Sequence, residues 1–238
     1  MSAAQIFKDA IVAPGRGLAA AADSKSAVQP LVAATLASLL FASALVPRIA
    51  YERTVQERLD ENPEAAQQMS PNDREVALAR AQKLGGVFTY GAALFGPTMR
   101  ALAVASCLLL ALRVAGAKAP FSNTFAAASF GLLPLALKDL LSLPALLRMH
   151  GIAARESDRA LPSSLAALLP PGIDGPFAGL AQALDLFSLW SLALVTLGTA
   201  HAAGVSRRRA FAVVFVLWAA YVHLSYVARP GFTGVRPI

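Results

Sequence analysis

Five long apolar segments constrain this chain more than any other feature of its sequence. They cover, in chain order, about residues 28–49, 86–112, 121–147, 177–203 and 209–228. A helix needs roughly 20 apolar residues to cross the hydrocarbon core of a bilayer, and each segment has about that length or more. The sequence therefore predicts an all-α fold: a polytopic transmembrane bundle of five helices with short interfacial helices.

The composition leaves little room for anything besides a membrane domain. Of the 238 residues, 56% are hydrophobic and 15% are charged, whereas a soluble domain has about 25% charged residues. Five spanning helices use about 110 residues. The remainder forms loops, a polar helical insert at residues 48–85 and an N-terminal region at residues 1–27, so a separate soluble catalytic domain is not expected.

The N-terminal region is predicted to contain a short amphipathic helix at residues 3–12. Ile6 and Ala10 fall on one side of this helix, Lys8 and Asp9 fall on the other, and Pro14 ends it. Two interpretations are open, because such a helix either lies in the membrane interface or packs against the bundle. Residues 15–26 are mostly small and are predicted to form a linker.

The net charge of +7 is interpreted as an orientation signal. The cations lie in short loops beside the apolar segments and do not cluster on one face of a domain, so no nucleic-acid partner is expected. Arg113, Lys118 and 207–209 stand without acids at the ends of predicted helices, which favours a cytoplasmic N-terminus and an external C-terminus. A plain count of Lys and Arg favours the reverse, but most of the other cations are interleaved with acids.

Four charged residues lie inside the predicted helices. Lys138 lies nine residues before the end of the third segment, and Asp185 lies eight residues after the start of the fourth. Because both positions are measured from the same loop, the two side chains are expected at nearly equal depth and are predicted to pair. Arg100 is predicted to lie about 8 Å deeper as a secondary partner. Asp139 points about 100° away from Lys138 and is expected to face the outer loop or water.

The pair has a structural and a functional interpretation. An ionisable group inside a bilayer is costly and usually finds a partner, so the pair is expected to fix the register of two helices. An ion or proton relay is the alternative, although a relay normally needs a longer chain of groups. The three histidines are not at metal-ligand spacing, and no nucleophile or phosphate-loop motif is present. No catalytic, cofactor or metal site is therefore predicted.

Four segments together resemble the Yip family of five-span membrane proteins, whose eukaryotic members bind Ypt/Rab GTPases. The segments are FSNTFAAASFGLLPLALKDLLSLP (121–144), LPSSLAALLP (161–170), LDLFSLWSLALVTLG (184–198) and GVSRRRAFAVVFVLWAAYV (204–222). Their order and spacing are similar to the bacterial branch, and the chain has 16 arginines against five lysines, as in a high-GC bacterial gene. The resemblance implies five helices, a cytoplasmic N-terminus, an external C-terminus and no enzymatic activity.

Three functions are considered at this point, and the least favoured is a membrane-embedded enzyme, which would need a clustered His, Glu, Asp or Ser site that the sequence does not show. The first is a non-enzymatic scaffold, trafficking-like or membrane-organising protein of a bacterial cytoplasmic membrane, which acts in the lipid bilayer as a homo-oligomer or with a membrane-protein partner. The alternative is a transporter or channel that uses Lys138, Asp185 and Arg100. The N-terminal region is much shorter than in the eukaryotic relatives, so the Rab-linked role does not transfer directly.

The orientation is tested by a reporter fused to the C-terminus. We expect a periplasmic reporter such as alkaline phosphatase to be active there, because the uncompensated cations near the helix ends place the N-terminus inside. A fluorescent reporter that matures only in the cytoplasm should stay dark at the same site. Cytoplasmic reporter activity at the C-terminus would contradict the orientation.

Overall fold

A computed structural model describes residues 3–61, 63–170 and 176–227. The structure is 83% helical, and its described part contains no β-strand, which confirms the predicted all-α fold. The described α-helices, in chain order, are α1 Ala3–Val12, α2 Pro14–Ser24, α3 Val28–Leu45, α4 Tyr51–Glu61, α5 Pro63–Gln68, α6 Pro71–Val114, α7 Phe121–Gly131, α8 Leu133–Leu146, α9 Pro176–Ala183, α10 Leu186–Ala203 and α11 Arg207–Val222.

Five helical units of the described chain are long and apolar enough to cross a membrane. They are Val28–Arg48, Pro71–Val114, Phe121–Leu146, Leu186–Ala203 and Arg207–Ser225. In each unit we consider the 18-residue stretch that is most apolar. In the third and in the fourth unit 44% of this stretch is buried, whereas in the last unit only 17% is buried. The pair α7–α8 and the helix α10 therefore form the centre of the bundle, and α11 lies at its edge.

The predicted polar insert and the predicted second segment are joined in α6. This helix has 44 residues and begins with a capping box, in which Ser70 Oγ accepts from the amide of Asp73 at 3.1 Å and the Asp73 carboxylate accepts from the amide of Ser70 at 3.2 Å. At the helical rise it is roughly 66 Å long, about twice the thickness of the hydrocarbon core. Its charged N-terminal half therefore projects beyond the membrane.

Two of the predicted segments are interrupted in the structure. The third is divided at Leu132 into α7 and α8, where Pro134 in the first turn of α8 has no amide hydrogen to continue the α7 ladder. The fourth, predicted as one helix over 177–203, is two helices, because α9 ends at Ala183 and α10 starts at Leu186. The spanning helix is consequently shorter than the apolar segment, and Asp185 lies just before it.

The N-terminal region forms a helical hairpin that packs against the bundle. The stretch 15–26, expected to be a linker, is wrongly predicted, because most of it belongs to α2. Gly17 lets the two helices touch, since a Cβ atom there would overlap the backbone of Ala10. Leu18 and Ala21 of α2 are fully buried.

The hairpin reaches the middle of the spanning helices. Ile6 of α1 and Leu18 of α2 belong to one buried cluster with Phe130, Leu133 and Leu194. These contacts favour the packed interpretation of α1 over a helix lying in the interface. The predicted external C-terminus, by contrast, falls in residues 228–238, outside the described part of the chain.

Close packing of α7 on α10 depends on glycine. A Cβ atom at Gly131 would lie 2.7 Å from Val195 Cγ2 and 2.9 Å from Val195 N, and one at Gly198 would lie 2.8 Å from Ala127 Cβ. Real Cβ atoms essentially never make contacts that short, so the two helices would have to separate. Helices in lipid associate through such close backbone approach at small residues.

We therefore expect Gly131→Ala to destabilise the protein by about 1–3 kcal/mol, the usual cost of overpacking. Gly91→Ala in α6 is the matched control, because a Cβ atom there meets nothing within 4 Å. Since alanine is the better helix former, the control should be neutral or slightly stabilising. Thermal unfolding of the detergent-solubilised variants measures both effects, and equal midpoints would contradict the close α7–α10 contact.

Candidate functional site

Asp185 caps the N-terminus of α10. Its Oδ1 accepts hydrogen bonds from the amides of Phe187 at 3.0 Å and Ser188 at 3.1 Å. These amides belong to the first turn of a helix, where no intrahelical carbonyl is available to them. An aspartate is among the best residues for this position, so the Asp185 side chain explains why α10 starts here.

The other carboxylate oxygen binds two side chains from elsewhere in the chain. Asp185 Oδ2 lies 3.1 Å from Lys138 Nζ of α8, and it also accepts a short hydrogen bond from Ser163 Oγ. The Asp185 side chain is 3% exposed and that of Lys138 is 23% exposed. An ionised carboxylate has about four acceptor positions. Four donors therefore occupy the Asp185 carboxylate fully.

Backbone hydrogen bonds hold the same loop against the start of α10. The amide of Leu165 donates to Leu184 O at 3.1 Å, and the amide of Leu186 donates to Ser163 O at 2.9 Å. Together with the Asp185 side chain, these bonds join three parts of the chain, which are α8, the loop at 161–165 and α10. We call this set the Asp185 junction.

Helix length places the Asp185 junction near one edge of the hydrocarbon core. Lys138 is 17 residues after Phe121, and Asp185 is 18 residues before Ala203. At the helical rise these separations correspond to about 26 and 27 Å from the face where α7 starts and α10 ends. The core is about 30 Å thick, so the junction is closer to the opposite interface than to the bilayer centre. This depth lowers the cost of two charges compared with a central position.

Asp139 and Arg100 form a second polar group on the other side of α8. Ser38 Oγ of α3 donates to Asp139 Oδ2 at 3.1 Å, so Asp139 faces α3 and not the outer loop, the first of the two environments expected for it. The second, water near the kink of the second segment, agrees with a small cavity that Pro97 and Asp139 both line. Ser38, Arg100 and Ser129 also line this cavity of about 20 Å³. That volume is sufficient for about one water molecule. Arg100, predicted as a secondary partner of the Lys138–Asp185 pair, thus lies beside Asp139 in the structure.

A third set of contacts lies outside the membrane and attaches the insert to the loop after α8. Arg53 of α4 forms an ion pair with Glu156 at 2.6 Å and donates to Gly151 O at 2.7 Å. The amide of Ala50 donates to Ile152 O at 2.8 Å. The side chains of Arg53 and Glu156 are 54% and 35% exposed, so this pair contributes little stability.

Ser163 and Ser38, which bind the intramembrane carboxylates, were not predicted from the sequence. A signal for the first was available, because the loop LPSSLAALLP places two serines among apolar residues. Asp185 itself is also among the residue types preferred at a helix N-cap, which would have indicated a helix start and not a mid-helix charge. Nothing in the local sequence of α3 indicates that Ser38 meets Asp139, since the two are 101 residues apart.

The described residues contain no group of three or more His, Cys, Asp or Glu side chains that could hold a metal ion. His201 Nε2 lies 3.1 Å from Asp23 Oδ1 of α2, at the end of α10 remote from the Asp185 junction. The contacts observed at the Asp185 junction are ion pairing and helix capping.

These features define a polytopic, all-α integral membrane protein with five spanning units. A comparison with known protein families finds a Yip1 domain over residues 8–228, and the chain belongs to this family. A search of curated proteins and a search of solved structures each returned no match.

Comparing Asp185→Ala with Asp185→Asn separates the contribution of the N-cap to stability from that of the ion pair. Both changes remove the charge partner of Lys138, but asparagine keeps an oxygen for the Phe187 and Ser188 amides. We expect the alanine variant to be less stable than the asparagine variant by about 1 kcal/mol, the usual value of an N-cap. Unfolding in mixed micelles measures the difference.

Glu156→Gln is the control, because it removes the charge from an exposed pair. Its effect should stay below about 1 kcal/mol. If Asp185→Ala were no more destabilising than Glu156→Gln, the Asp185 junction would not hold α8 and α10 together.

Proposed function

We propose that the protein is a non-enzymatic membrane-organising or scaffold protein of a bacterial cytoplasmic membrane, with its N-terminus cytoplasmic and its C-terminus external. In this proposal the polar groups inside the membrane hold the bundle in one arrangement. The lipid-facing helices then act by contacting lipid, a second copy of the chain or another membrane protein. The membership in the Yip1 family supports this class of function.

The saturation of the Asp185 carboxylate is the observation that carries the proposal. A relay or ion site must exchange protons or bind an ion, which needs a free acceptor position. Two amides, Ser163 Oγ and Lys138 Nζ already use the positions of Asp185. The carboxylate is therefore suited to fixing helices in register, which is the best attested use of a buried ion pair.

The small volume of the cavity beside Asp139 and Arg100 supports the same structural function. The cavity beside Asp139 and Arg100 encloses about 20 Å³, enough for about one water molecule. A chain of waters that crosses the hydrocarbon core would need a cavity many times longer. This group is therefore suited to holding α3 and α8 together rather than to conducting ions.

The edge of the bundle offers a surface for partners. Large apolar side chains on α6 and α11 are exposed in the isolated chain, among them Phe95, Leu110, Phe211 and Val216. In a bilayer these side chains meet lipid or another helix. Helix association in lipid proceeds through such surfaces by packing rather than by burial from water.

Purification in a lipid nanodisc, followed by mass measurement, tests the scaffold proposal. We expect a defined complex of more than one chain, either a homo-oligomer or a stoichiometric complex with another membrane protein. When the purified protein is reconstituted into liposomes that contain a pH-sensitive dye, we expect no increase in proton permeability. Lys138→Met and Asp185→Asn should leave that permeability unchanged.

Two results would contradict the proposal. One is a proton or cation flux in wild-type liposomes that Asp185→Asn abolishes while Glu156→Gln does not. The other is a protein that stays monomeric and without a partner at every concentration tested. The first result would favour a transporter that uses Lys138, Asp185 and Arg100.

A further inference from the structure

An apolar groove runs between α6 and α11 at the edge of the bundle. It is open to the outside along its length and has a volume of about 510 Å³, within the range of roughly 300–1,000 Å³ that is usual for sites of small molecules. Val114 is 84% exposed and Val216 is 64% exposed, so neither helix covers the groove. Its walls include Cys107, Leu110, Val114, Ala212, Val213 and Val216.

The groove begins at one membrane face and follows the direction of a lipid chain. Val114 is the last residue of α6, and Arg207 is the first of α11, so both helices have an end at this face. From Val114 to Cys107 the helix covers about 10 Å at the helical rise. One leaflet of the hydrocarbon core is about 15 Å thick. An acyl chain entering at the face would thus lie along most of the groove.

Cations surround the open end of the groove. Arg113, Lys118 and the run 207–209 all lie at this face and are exposed. The chain has no Asp or Glu between Val76 and Lys138, and none after Asp185. Asp23, the acid of α2 at this face, lies 3.1 Å from His201 Nε2. None of these cations forms an ion pair with a carboxylate in the described part of the chain. An anion is therefore the complementary group at this end.

Arg209 is the cation aligned with the groove. Arg209, Val213 and Val216 are spaced by four and three residues, so they share one face of α11. Side chains on a helix lean towards its N-terminus, which directs Arg209 to the membrane face. Arg207 lies on the opposite side of the helix. Ser206 Oγ accepts from the amide of Arg209 at 3.4 Å, and the other amides of the first turn carry partial positive charge that disfavours cations there. A bound anion would relieve this repulsion.

We propose that the groove between α6 and α11 binds an anionic phospholipid. One acyl chain lies between the two walls, and the phosphate binds Arg209, with Arg113 and Arg208 beside it. Charge complementarity at the open end distinguishes this occupant from a second copy of the chain, whose matching face would bring like charges together. Basic pockets between spanning helices are known to bind anionic lipid headgroups. The proposal stands independently of the scaffold function.

Native mass spectrometry of the full-length protein tests this site. The protein is purified in detergent with equal amounts of phosphatidylglycerol and phosphatidylcholine, and the retained lipid is counted. We expect preferential retention of phosphatidylglycerol. Arg209→Gln should lower it roughly fivefold, the usual effect of one cation at an anionic headgroup. Arg207→Gln, which removes the same charge on the other side of α11, should change it little.

Ala212→Phe tests the apolar part of the groove while every charge is kept. The added ring fills the wall beside Val213 and Val216, so retention of phosphatidylglycerol should fall as it does for Arg209→Gln. Monodisperse elution and an unchanged unfolding midpoint confirm that each variant is folded. This variant also tests the proposal if Arg209→Gln does not fold.

Three results would overturn the proposal. Equal retention of the two lipids by the wild type would remove the anionic selectivity. Equal losses from Arg207→Gln and Arg209→Gln, with none from Ala212→Phe, would indicate attraction by surface charge alone. A change in oligomeric state, and not in lipid retention, on Ala212→Phe would show that a second copy occupies the groove.

Discussion

The carboxylate of Asp185 is the constraint on which our account of the bundle depends, because it satisfies groups from three separate parts of the chain. It accepts from two amides of α10, from Ser163 in the loop and from Lys138 of α8. Inside or near a bilayer each of these donors would be costly without a partner. Because one carboxylate binds all of these donors, the position at which α10 starts is tied to the register of α8.

The other helices pack around α10 and the α7–α8 pair. The helices α7 and α10 approach closely at Gly131 and Gly198, and the N-terminal hairpin packs against the same helices through Leu18. The outer helices α6 and α11 leave an apolar groove beside the buried cluster of Leu108, Val195 and Val214. A rigid centre with an open edge is compatible with a protein that acts through its contacts with lipid and partners.

Hydrophobic segments were enough to predict the fold class, because a spanning helix must be long and apolar whatever its neighbours are. Lys138 and Asp185 lie at similar distances from the loop they share, so their pairing was predictable, and the structure has them 3.1 Å apart. The helix break before Asp185 was not predictable from hydrophobicity, because apolar residues flank the N-cap on both sides. Burial of α2 was also missed, because small residues are typical of linkers and of close helix packing alike.

The coupling between Lys138 and Asp185 tests this account most directly. A double-mutant cycle of Lys138→Met, Asp185→Asn and the double variant, measured as free energy of unfolding in mixed micelles, isolates the interaction from the cap. We predict a coupling of roughly 1–3 kcal/mol, because each single change leaves a buried group unpaired and the double change leaves none. Effects that add to within about 0.5 kcal/mol would show that the pair does not hold the helices together.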